Sequence, residues 1–125
     1  MHTSISSSEL EGYIKSQISH FFPDNKTEWR ESVSDCCSEA MKRVEHCFRG
    51  IRGKYYQSNG LPVFNHMNSD HYATFLYFLA NQAYLTGNLP LAEKAFYLNK
   101  LLNGLDLFYS IKMPEIFLLV HPVGS

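Results

Sequence analysis

The chain has 125 residues, 45% of them apolar, 18% charged and 14% aromatic, and a formal net charge of −1. That composition suits one folded domain with a single core and excludes a disordered, charge-rich tail. Lysines and arginines are scattered apart from a short run at Arg49, Arg52 and Lys54, which argues against a phosphate-tracking surface and against nucleic acid as a partner.

In chain order, Met1-His2-Thr3-Ser4-Ile5 lacks the basic and apolar regions of a secretory leader. No window holds the roughly 18 apolar residues that a membrane span needs, so a cytoplasmic protein without membrane contact is expected. Ser6-Ser7-Ser8-Glu9 has the pattern of a capping box. Leu10, Ile14, Ile18 and Phe21 follow at helical spacing, predicting a helix from about Ser7 to Phe22 that Pro23 stops. Asn25-Lys26-Thr27-Glu28 looks like a second capping box. From there Trp29, Val33, Cys36, Ala40, Val44 and Cys47 draw an apolar stripe, with Glu31, Asp35, Lys42, Arg43 and Glu45 facing water. A long amphipathic second helix ending near Gly50 or Gly53 is expected. Its cysteines, Cys36, Cys37 and Cys47, lack the spacing of a zinc site or a CxxC motif and read as buried reduced thiols. His20 and His46, on amphipathic helices, are expected to face solvent.

Lys54 to Asn68 carries turn chemistry at Asn59-Gly60 and a breaker at Pro62. It is too apolar for a linker, so an ordered loop packed down by Tyr55, Tyr56 and Phe64 is expected. Asn68 or Ser69 caps a third helix, with Asp70 at the positive end of its dipole. Tyr72 to Ala80 is apolar nearly all round, as in a central helix. Gly87 ends that helix, Asn88 caps a fourth with Pro90 in its first turn, and Gly104 ends the fourth. The pattern from Ala83 to Ala95 reads as an antiparallel helical hairpin. A short helix or turn over about Leu105 to Tyr109 precedes the exit segment, in which Ile116 to Val120 suits an extended conformation. No stretch alternates as a half-buried strand would. The fold class expected is all-α: a single bundle of about four to six helices over 1–125, with a helical pair at 7–53 and a second region at 54–125.

Within that second region, Phe64-Asn65-His66-Met67-Asn68-Ser69-Asp70-His71-Tyr72-Ala73-Thr74-Phe75-Leu76-Tyr77 is followed by Ala80-Asn81-Gln82-Ala83-Tyr84. Lys94-Ala95-Phe96-Tyr97-Leu98-Asn99-Lys100 comes next, then Pro114-Glu115-Ile116-Phe117 and His121-Pro122-Val123-Gly124. These blocks resemble the N-terminal helical domain of serine O-acetyltransferase-like proteins and the segment leading into their left-handed β-helix. The resemblance covers roughly Lys54 to Ser125. It implies that acetyl-CoA binding and the catalytic His–Asp pair belong to a β-helix, whose hexapeptide period is missing here. It also implies that the N-terminal helices build contacts between trimers. Where the serine enzymes carry a substrate-binding aspartate, near His66, there is no carboxylate. Leu119 stands where they carry a catalytic carboxylate, two residues before the "HP" that His121-Pro122 matches.

No catalytic residue, metal ligand or cofactor is therefore assigned; acetyl-CoA would enter only with a β-helix that follows or that a partner supplies. The leading expectation is a non-catalytic assembly or protein-interaction domain, most simply a homodimer, with an acetyltransferase as a second possible partner. Its interface candidates are Trp29, Val33, Ile116, Phe117, Leu118 and Val120, because five consecutive apolar residues must be buried or will associate. A rival reading is a small-molecule site in the aromatic loop, using Tyr55, Tyr56, Phe64, His66, Asp70 and His71. There the bland alternative is a capping Asp70 with histidines that satisfy the backbone; His66 and His71 are poorly spaced for a shared metal. A third reading is a fragment of a full-length acetyl-CoA-dependent O-acetyltransferase.

Overall fold

A computed structural model describes residues 1–119; the expectations for Val120 and His121 lie outside that range. Four helices dominate: α1 (Ser7–Phe21), α2 (Val33–Arg49), α3 (Ser69–Leu85) and α4 (Leu89–Asn103). Helix α3 is the centre, buried at nearly every position from His71 to Ala83, and it packs against α4 on one side and α2 on the other, with α1 closing over α2 and α4.

Local chemistry explains most of the boundaries. Ser6 and Glu9 form the reciprocal capping box at α1. The Asn68 side chain accepts from the backbone N–H groups of Asp70 and His71, at 3.0 and 3.2 Å. Asn88 caps α4 by accepting from Leu91 N–H, and Gly104 ends that helix in the left-handed conformation at φ 66°. Thr86-Gly87-Asn88 makes the tight α3–α4 hairpin, with Gly87 at φ 86° where a side chain would be strained.

Three expectations need correction. The fold is not purely α: β1 (His2–Thr3), β2 (Gln57–Ser58) and β3 (Leu61–Phe64) form a small sheet in the order β1-β3-β2. β2 and β3 are a hairpin whose Asn59-Gly60 turn has both residues at positive φ, the geometry that Asn-Gly favours between twisted strands. β1 then adds in parallel, His2 opposite Val63 and Thr3 opposite Phe64. Strands of two to four residues are too short to display alternation. Second, the long second helix is broken at its start. Trp29 sits in a separate 3₁₀ turn, Glu28–Arg30, and α2 begins at Val33. The expected second capping box is absent, since Thr27 makes no side-chain cap and Asn25 adopts φ 63°. The Trp29 indole N–H instead donates to the Lys26 carbonyl at 3.0 Å. Third, of the helix or turn expected over about Leu105 to Tyr109, the helix does not form, and a turn closes the stretch, with Ile111 N–H donating to the Phe108 carbonyl at 3.1 Å.

That last segment is irregular but tied down. Asn81 donates to the Tyr109 carbonyl at 2.7 Å, Tyr77 O–H donates to the Ile111 carbonyl, and Met113 N–H donates to the Tyr77 hydroxyl at 3.1 Å. Buried polar groups of α3 thus replace the missing helical hydrogen bonds of the segment. All three cysteines are free and buried. Burial pushes the Cys37 thiol up to about 12, which suppresses the thiolate and its reactivity.

Candidate functional site

The six loop residues read as a ligand site are divided by the fold. Tyr56, Phe64 and His71 converge on Phe48 of α2. The His71 ring lies 4.8 Å from Phe48 and 4.7 Å from Tyr56, and Phe64 stacks at 6.2 Å. Phe64 is fully buried and His71 is 1% exposed. This is core packing, each ring pair contributing about 0.5–1.5 kcal/mol beyond its buried area. His66 sits elsewhere, against Tyr13 at 5.2 Å. Ser4 Oγ accepts from the His66 backbone N–H at 2.8 Å and is hydrogen-bonded to His66 Nδ1 at 2.7 Å. That pair ties the N-terminal strand to the loop. Tyr55, expected to pack down, is exposed, with Lys54 Nζ over its ring at 5.1 Å.

Two atoms in this cluster stay unsatisfied. His71 Nδ1 accepts from Asn65 N–H at 3.0 Å, which places the ring proton on Nε2. Nε2 and Asp70 Oδ1 are both buried and make no hydrogen bond. The Tyr55 carbonyl favours the protonated ring, but it does not complete a bond with Nε2. Desolvation outweighs both that carbonyl and the Asp70 charge, and holds the His71 ring below its ordinary value. The same burial, with the Asp70 charge second, pushes the Tyr56 hydroxyl up to about 12. Neither cleft described below is lined by any of the six residues.

The predicted interface is also divided. Trp29 and Val33 are buried inside the chain, so they face no partner. Phe117 packs edge-on to Tyr77 at 5.8 Å and against Phe78 at 5.4 Å, while the Cys47 thiol donates to its carbonyl at 3.2 Å. Ile116 lies over Gly50, where a Cβ would meet its Cδ1 at 2.5 Å. The tail is thus partly folded in, and Ile116 and Leu118 keep about half of their surface exposed.

The sequence reading missed two features. The first is an exposed aromatic ridge that runs from the end of α3 across the segment after α4 to the outside of α4. Tyr84, Tyr97, Leu101 and Phe108 are 39%, 52%, 60% and 42% exposed. Phe96 joins Tyr97 and Phe108, each at 5.2 Å, and Tyr109 joins Phe108 at 4.0 Å to Tyr84 at 5.5 Å. Tyr97 and Leu101, four residues apart, share a helix face. The signal was there: α4 is apolar on its Leu91, Ala95 and Leu98 side and also at Tyr97 and Leu101, more than one core face requires.

The second feature is concave. One cleft of about 630 Å³ lies between α1, α2 and β1, where the Met1 amine approaches Glu45 at 3.7 Å. Another, of about 570 Å³, lies between α2, α3 and residues 110–115, with Arg43, Asn81 and Gln82 in its wall. The sequence pattern places Arg43 on the water-facing side of α2. The adjacent amides Asn81-Gln82, inside an otherwise apolar helix, were the signal that a polar partner comes to them.

No protein-family model matches the chain, and no curated protein or solved structure matches it closely enough to indicate kinship. Among the described residues no three His, Cys, Asp or Glu side chains converge on a possible metal position, and no helix is long and apolar enough to cross a membrane.

Proposed function

We propose that this chain is an assembly domain, and that its α4 ridge docks on a second copy of itself. The observation that carries the reading is the run of ring contacts from Tyr84 through Tyr109, Phe108 and Phe96 to Tyr97, with Leu101 one helical turn beyond Tyr97; of these, Tyr84, Tyr97, Leu101 and Phe108 are each about half exposed. A contiguous apolar surface of this kind loses free energy in water and gains it on association, and tyrosine and phenylalanine are over-represented in such contacts. A net charge of −1 raises no like-charge barrier between copies. A twofold arrangement is the simplest closed solution.

Kinship with the helical domain of serine O-acetyltransferase-like proteins belongs to the same proposal and rests on the blocks between Phe64 and Gly124 quoted above. The domain is then non-catalytic by itself. Acetyl transfer from acetyl-CoA to serine by the purified chain would overturn that part.

Light scattering behind size exclusion, over a dilution series, tests the assembly. A dimer persisting into the low micromolar range, and converted to monomer by Leu101→Glu with an unchanged circular dichroism spectrum, is the expected result. A monomer at every concentration would sink the proposal.

A further inference from the structure

The cleft between α2, α3 and the exit segment contains a cation without an anion. Arg43 is half-buried, and its guanidinium lies over the Phe78 ring at 4.6 Å. Its Nη2 donates to Asn81 Oδ1 at 2.9 Å and its Nη1 to Gln82 Oε1 at 3.3 Å. Asn81 cannot turn away, because its amide nitrogen is held by the Tyr109 carbonyl at 2.7 Å. Among the described residues no carboxylate pairs with Arg43, and the other cations without one, Lys26, Arg30, Arg52, Lys54 and Lys112, are all exposed to water, whereas Arg43 is not. Neutral amide oxygens orient a guanidinium but do not cancel its charge, and burial makes the uncancelled charge costly. The cost is visible as a guanidinium held below its ordinary value, desolvation being the main cause.

The surroundings continue the same chemistry. Lys42, His46 and Lys112 add cationic or ionisable groups, and Glu115 is the one carboxylate in the wall, near His46 at 3.8 Å. Phe78, Leu85, Met113 and Pro114 supply an apolar surface. A volume of about 570 Å³ falls in the range of small-molecule sites, which are mostly apolar with a few fixed polar groups. The amides engage only part of the guanidinium fork, leaving N–H donors in the geometry that carboxylates and phosphates accept bidentately.

We infer that this cleft is a binding site for a small organic anion, with a carboxylate or phosphate on Arg43 and an apolar body against Phe78, Leu85 and Met113. The inference is independent of self-association, since it uses none of the ridge residues.

Phenylacetate, phenyl phosphate and benzyl alcohol separate the possible outcomes. The readout is titration of the ¹H–¹⁵N spectrum of the full chain, including the Arg43 Nε–H resonance. Saturable shifts of Arg43 Nε–H with at least one anion, and binding of the alcohol about tenfold weaker or more, are expected. Whether phenylacetate or phenyl phosphate binds more tightly identifies the headgroup. Arg43→Gln should weaken anion binding by about tenfold or more. Leu85→Trp, at a largely exposed position, should obstruct the cleft and weaken it again without relying on the Arg43 variant's stability. Equal binding of the alcohol, unaltered binding in Arg43→Gln, or no saturable shift with either anion would overturn the assignment.

Discussion

The two ends of α3 treat buried polarity in opposite ways. At the N-terminal end, Asp70 and His71 bring polar atoms into an enclosure of Phe48, Tyr56 and Phe64, and two of those atoms find no partner. At the C-terminal end, Asn81 and Gln82 are satisfied by Arg43, and the group left over is a charge facing a cleft. The first end is closed, so its polar groups act on stability. The second is open, so its surplus charge is available to a ligand. A polar residue in an apolar helix therefore points to a site only when the fold also leaves it access.

The largest expected effect lies at the closed end. Phe64 is fully buried and touches Phe48, His71 and Phe75. Phe64→Ala should cost about 3–5 kcal/mol in urea unfolding. A loss below about 1 kcal/mol would mean that this end is not the packed core that the ring geometry implies.

The next effect is pH-dependent. Because the folded-state value of His71 is depressed from 6.5 by burial, the unfolded chain binds the extra proton first. The stability this neutral ring supports is complete above the unfolded value and falls as pH drops below about 6.5, until the folded-state value is reached. A single proton sets the steepest possible slope, about 1.4 kcal/mol per pH unit. His71→Asn, which keeps an acceptor for Asn65 N–H, should remove that part of the slope. A variant as steep as the wild type between pH 6.5 and 5 would transfer the effect to another group.

At the open end the effect on stability should be smallest. Arg43→Met keeps the apolar stem on Phe78 and removes a half-buried, unneutralised charge, so stability should stay within about 1 kcal/mol of wild type. A loss of several kcal/mol would make Arg43 a structural residue and erase the contrast between the two ends.

How much of this was legible in the sequence follows from the range of each interaction. The caps Ser6, Asn68 and Asn88 and the stop at Gly104 act within a few residues, so the ends of α1, α3 and α4 could be read directly. The parallel pairing of His2-Thr3 with Val63-Phe64 joins segments some sixty residues apart, and a two-residue strand has no periodicity of its own. Arg43 shows the same limitation from the other side. On α2 alone it belongs with the charged face, and only the packing of α3 and residues 110–115 against that face turns it into the wall of a cleft. The set Tyr55, Tyr56, Phe64, His66, Asp70 and His71 reads from the sequence either as a ligand site or as a helix cap with backbone-bound histidines, because sequence spacing does not reveal whether polar atoms end up sealed or accessible.

Thermal unfolding with and without phenyl phosphate and phenylacetate, run on wild type, His71→Asn and Arg43→Met together, tests the contrast most directly. A ligand that binds only the folded state raises the unfolding midpoint by mass action. The account predicts a concentration-dependent rise with at least one anion in wild type and in His71→Asn, and none in Arg43→Met. A rise that survives in Arg43→Met, or that disappears in His71→Asn, would contradict it.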